Sequence, residues 1–125
     1  MWVTVGNNKQ AVDMAQKAVV HFHDQLNAEN YQQIYSESHT EFQAAINESK
    51  AIEYFSAARR KLGKVRSAQL NDWKPNNANG RTLIGLFYET RFDEDTAREE
   101  FIWAVNGNNA VLFRYNIDSP TLVTK

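Results

Sequence analysis

Cysteine is absent from the chain, which excludes disulfides, a thiolate nucleophile and any zinc or iron–sulfur site ligated by cysteine. The absence does not choose a compartment, since a cytosolic protein needs no disulfide and an exported one can fold without them. Net charge is nearly absent too. Fourteen basic residues against fifteen acidic ones leave −1, so net charge supplies no attraction for phosphate backbones or anionic lipid. Neither nucleic acid binding nor membrane insertion is expected. The segment Met1-Trp2-Val3-Thr4-Val5-Gly6-Asn7-Asn8 has no basic n-region and no apolar h-region, so no signal peptide is expected in the chain as it stands; a leader removed earlier stays open. What is present is a globular balance of 42% hydrophobic and 23% charged residues over a length of 125. That length predicts one domain, residues 1–125, with burial of roughly two-thirds of its unfolded surface.

The first half of the chain has helical periodicity. Ala11, Met14, Ala15, Ala18, Val19, Phe22 and Leu26 recur at three- and four-residue steps, which predicts a long helix over Lys9–Leu26 with Asn7 or Asn8 as its cap. Tyr31, Ile34 and Tyr35 predict a short helix over 31–37, and Phe42, Ala45 and Ile46 repeat that spacing. Ser49 and the run Lys50–Leu62, carrying Ile52, Phe55 and Leu62, predict a third helix ended by Gly63. Helices are thus expected over about 9–62.

The period then falls to two. Val65–Trp73, Leu83–Phe92, Ala97–Val105 and Ala110–Ile117 predict four strands within about 65–117. Asn79-Gly80 predicts a two-residue hairpin, and Asp93–Thr96 and Asn106–Asn109 predict the other connections. Register is chosen by collecting apolar side chains on one face. That choice pairs Phe92 with Ala97, Tyr88 with Phe101, Leu86 with Trp103 and Ile84 with Val105. It also pairs Trp73 with Leu86, Asn71 with Tyr88, Gln69 with Thr90, Trp103 with Phe113 and Phe101 with Tyr115, with a bulge near Gly107 to absorb an odd loop. The fold class is α+β: N-terminal helices packed on one face of a curved four-stranded antiparallel meander.

An Ala-rich amphipathic helix, the spaced aromatics Tyr31, Tyr35 and Phe42, the run from Tyr54-Phe55 to Arg59, Leu62-Gly63 and then paired strands together resemble the cystatin-like and nuclear-transport-factor-2-like (NTF2-like) α+β superfamily. Within it the chain is similar to small bacterial exported or lipoprotein-type domains. The resemblance implies a bent sheet wrapped around helices as a cone, with the enclosed space serving as filled core, ligand pocket or enzyme site. It also implies a periplasmic or envelope location if a leader has been removed. No catalytic motif of that superfamily can be carried over onto these residues.

His21, His23 and Asp24 are the residue types that ligate metals. Residues two apart on a helix lie about 200° apart around the axis, so His21 and His23 are expected to be surface histidines that share no ion. No metal and no cofactor are expected. Arg59, Arg60, Lys61, Lys64 and Arg66 form a basic run that could hold an anion. Cations also suit a helix C-terminus, and Asp93–Glu100 offers a counterweight, so a solvated structural reading is preferred. The expected binding site is the covered sheet face: Gln69, Asn71, Trp73, Tyr88, Thr90, Glu99, Trp103 and Tyr115. Its aromatics also suit plain core, but its polar groups need partners or water, which predicts a wet cleft mouth at the polar end.

The preferred functional reading is a non-enzymatic binding or accessory domain for an unidentified small molecule or protein. One alternative is an interaction module or homodimer using Phe87, Ile102 and Leu112 on the other sheet face. The enzymatic alternative is an isomerase- or hydrolase-like site with Glu99 as general base and Tyr88 or Tyr115 as donor to an oxyanion.

Overall fold

A computed structural model describes residues 2–78, 81–107 and 109–123. Helix α1 (Trp2–Asn27) is followed by the short α2 (Tyr31–Ser36) and α3 (Thr40–Ala45), and then by α4 (Glu48–Leu62). Strands β1 (Val65–Ala78), β2 (Arg81–Phe92), β3 (Thr96–Asn106) and β4 (Asn109–Asp118) come next, and α5 (Pro120–Val123) closes the chain. The strands form one antiparallel sheet in the order β1-β2-β3-β4, a meander that is curved and open. The fold class is therefore α+β, as the change of period from helical to two predicts. Among the described residues no helix is long and apolar enough to cross a membrane.

Element boundaries depart from the periodicity where local chemistry intervenes. The backbone of α1 runs through Asn7 and Asn8, so neither caps it. The third long apolar pattern is the fourth helix, because Thr40–Ala45 closes a turn of its own on a His39 side chain that accepts from the Glu41 N–H. The cap of α4 is Asn47, whose side chain accepts from the Lys50 N–H at 2.9 Å. Gly63 ends α4 with φ 86°, in the left-handed region where glycine carries no Cβ penalty. The Asn79-Gly80 turn lies outside the described residues, but the pairs on its flank run to Ala78 with Arg81.

The strands keep their faces and change their partners. On β2 and β3, Thr90 pairs with Ala97, Tyr88 with Glu99, Leu86 with Phe101 and Ile84 with Trp103. The pairing is displaced by two residues from the expected register, because the turn tightens: the Phe92 N–H donates to the Asp95 carbonyl at 2.8 Å. Phe101 does face Tyr115 and Trp73 does face Leu86. Trp103, however, faces Leu112, because the β4 irregularity falls between Ile102 and Trp103, opposite Phe113, and not near Gly107. A second irregularity between Leu70 and Asp72 puts Leu70 opposite Tyr88 and leaves Asn71 unpaired, while Ala68 takes the place opposite Thr90 expected for Gln69.

The core lies between α1, α4 and the inner sheet face. Ala15, Val19, Phe22 and Leu26 of α1 meet Phe55 and Leu62 of α4 over Ile84, Leu86 and Phe101. Phe22 and Phe101 touch edge to face with centroids 5.1 Å apart, a geometry that aromatic quadrupoles favour. Arg59 of the basic run reaches the Asn27 carbonyl and Glu29, and Arg66 pairs with Asp93.

Candidate functional site

Two polar arrangements interrupt the apolar layer between helices and sheet. The first is centred on Glu99. Its residue is 2% exposed, in the middle of β3, and its side chain takes donors from three other elements. His23 of α1 places Nε2 2.7 Å from Oε1. Thr90 of β2 donates its hydroxyl to the same oxygen at 2.5 Å, and Tyr115 of β4 donates its own to Oε2 at 2.6 Å. A buried carboxylate without such partners would cost several kcal/mol; with three of them it ties both neighbouring strands and the long helix to one point.

The phenols around Glu99 respond to it. Burial first, then the Glu99 charge and the bond donated to it, push the Tyr115 hydroxyl well above the ordinary tyrosine value, so it stays protonated as a donor. Burial also raises Tyr88, against the opposing bond with Gln16, and Glu99 raises it further. Tyr54 is raised by burial and by Glu99, although it accepts from the Ile117 N–H.

The second arrangement is a cleft of about 370 Å³ at the far end of the same layer, between α1, α2 and the β3–β4 hairpin. Ala18, Phe22, Ile34 and Leu112 give it an apolar lining. His21, Gln25 and Glu37 supply the polar side, where Glu37 Oε1 receives His21 Nε2 and Gln25 Nε2, both at 3.1 Å, and Oε2 receives Gln33 Nε2 at 2.6 Å. Burial alone would raise the Glu37 pKa, but the bonds from Gln33, Gln25 and His21 together outweigh it and hold the carboxyl below its ordinary value. Trp103 forms part of the wall, stacked on Phe101 with ring planes 12° apart. It is 5% exposed, and its indole N–H is the buried side-chain polar atom without a partner among the described residues.

The expected site residues separate accordingly. Tyr88, Thr90, Glu99 and Tyr115 come together around one carboxylate, but Thr90 and Glu99 are sealed and bonded to each other, not wetted at a cleft mouth. Trp103 stands at the cleft. Gln69, Asn71 and Trp73 do not join them. All three are exposed, Trp73 at 42%, because β1 is an edge strand whose Val65 and Leu70, not these residues, pack against the core. Freed by its bulge, Asn71 lines a shallow hollow with the outward-facing Glu89, Arg98 and Asp118.

His23 corrects the expectation of two surface histidines. His21 is exposed, but His23 is 7% exposed and bound to Glu99. The spacing that finds it is Val19, Phe22, His23 and Leu26, the i, i+3, i+4, i+7 pattern of a buried helix face. Leu112 is corrected as well: the Phe113 irregularity turns it inward, where it is buried, leaving Phe87 and Ile102 half-buried on the outer face. Gln25 and Glu37 carry no mark in the sequence, since their meeting depends on how α2 folds back on α1.

Comparison with known proteins finds no matching family model and no matching curated protein.

Proposed function

We propose that this protein is a non-enzymatic binding domain whose ligand occupies the cleft between α1, α2 and the β3–β4 hairpin. The observation that carries the reading is Trp103: a buried donor without a partner costs about 1 to 3 kcal/mol, and this one belongs to the wall of a mixed apolar and polar cleft. A volume of about 370 Å³ falls in the range of small-molecule sites, roughly 300 to 1,000 Å³. An enzymatic role for Glu99 finds less support, because both of its oxygens are engaged and its side chain is fully enclosed. The order of helices and curved meander favours kinship with the cystatin-like and NTF2-like domains, and through that likeness an exported or envelope setting.

A fragment screen read by amide and indole chemical shifts tests the cleft. Fragments bearing a hydrogen-bond acceptor on an aromatic or aliphatic body should shift the Trp103 indole N–H together with Gln25 and Leu112. Trp103→Phe, which keeps an aromatic wall but deletes the donor, should weaken them about five- to tenfold, the worth of about one hydrogen bond. Fragments that gather elsewhere, or that bind Trp103→Phe equally well, would refute the proposal.

A further inference from the structure

Four successive residues of β4, Asn109, Ala110, Val111 and Leu112, line the cleft. Successive side chains of a strand point to opposite faces, so no single face could supply all four. The cleft therefore meets β4 along its edge, backbone included. β4 is the last strand of the sheet, with no strand beyond it among the described residues.

Pairing decides which backbone groups look outward there. Asn106 faces Asn109 across a two-residue turn begun by Gly107 at φ 62°, and residues flanking such a turn form a hydrogen-bonded pair. The next pair, Val105 with Ala110, is then of the other kind, and the Ala110 N–H and C=O point away from β3. Leu112, two residues on, points the same way, and its own bond agrees: its carbonyl accepts from the His39 N–H at 2.8 Å. The chain after α2 thus already lays one strand-like bond on this edge, with His39 extended at φ −63° and ψ 151°. Ala110 is the next outward position, and it opens on the cleft.

The rest of the cleft suits a side chain beside such a backbone. Phe22, Ile34 and Trp103 offer an apolar seat. Glu37 accepts three bonds of the roughly four that a carboxylate can take, and its lowered pKa keeps it negative. We infer that the ligand is an extended peptide segment of another protein that adds to the β4 edge through the Ala110 N–H and C=O. It sets an apolar side chain against Trp103 and a lysine or arginine at Glu37, a mode in which main-chain bonds give affinity and the pocket gives specificity. The inference rests on the cleft being the binding site.

The probe is a pool of capped pentapeptides X-Lys-X-Lys-X, with X valine, leucine, phenylalanine or threonine, assayed on the whole chain by amide hydrogen exchange and titration. Bound peptide should slow exchange at Ala110 at least tenfold, and N-methylation of the peptide's central residue should weaken binding by a similar factor. Replacing both lysines by glutamate should weaken it further. Ala110→Pro removes the outward N–H and should abolish peptide binding; the N-methylated peptide makes the same test without altering the protein. Fragment binding with no peptide binding, or peptide binding with unchanged exchange at Ala110, overturns the peptide inference and leaves the cleft standing. If neither fragment nor peptide binds, both readings fall.

Discussion

Glu99 is held by donors from α1, β2 and β4, and removing any one leaves a buried polar group short of a partner. His23→Ala takes away both a bond to the carboxylate and the ring that packs against Phe22 and Phe101, and is expected to cost about 3 to 5 kcal/mol. Glu99→Gln replaces one accepting oxygen by a donor amide, but the neighbouring hydroxyls can turn, so about 1 to 3 kcal/mol is expected. Urea denaturation of both variants checks the order; a His23→Ala loss below 1 kcal/mol would show that the histidine only fills space. The need for partners at Thr90 and Glu99 was legible in the sequence, because polar residues on an apolar strand face cannot be left bare. The identity of the partner was not. Setting His21 against His23 answers whether they share an ion, whereas the burial of His23 depends on its distance from Val19 and Leu26.

At the scale of elements, existence and facing were legible and partners were not. A strand face survives a slip of two residues, since the side-chain period is two, so the apolar rows of β2 and β3 are right while Tyr88 meets Glu99 instead of Phe101. In β4 the odd positions Val111, Phe113, Tyr115 and Ile117 read as one apolar set. The irregularity at Phe113 instead selects Leu112 before it and Tyr115 with Ile117 after it. Phe113 is left half-buried beside His39 and under the Arg81 guanidinium. Nothing local in the sequence marks that break, because it repairs the fit of a whole strand to the helices. The α4–β1 corner was legible: Gly63 holds a positive φ, and a Cβ there would lie 2.5 Å from the Asp93 Cβ. Asp93 cannot simply withdraw, since it accepts from the Lys64 N–H and pairs with Arg66. Gly63→Ala should therefore cost about 1 to 3 kcal/mol from backbone strain with added crowding. A thermal melt unchanged from the parent would mean that the corner relaxes freely.

For the whole molecule, three phenols raised above 10.0 set the alkaline limit of stability. A tyrosine whose folded pKa exceeds its unfolded value contributes fully below the unfolded pKa. Its contribution then declines as pH rises toward the folded one, because the unfolded chain ionises first. Stability should therefore be level up to about pH 9 and fall beyond 10, at up to about 1.4 kcal/mol per pH unit from Tyr115. Urea unfolding between pH 8 and 11.5 checks this, and Tyr115→Phe should flatten the slope. A parent curve as flat as the variant's would mean that Tyr115 ionises as readily folded as unfolded.

The opposite settings of Trp73 and Trp103 have an optical consequence. An indole in water relaxes its surroundings after excitation and emits to the red, whereas one enclosed among rings emits to the blue. Trp73 is 42% exposed and Trp103 is 5% exposed, so the two should contribute separable bands once Trp2 is replaced. The blue band comes from the wall of the cleft, and its position and quenching by iodide report on that wall without any label.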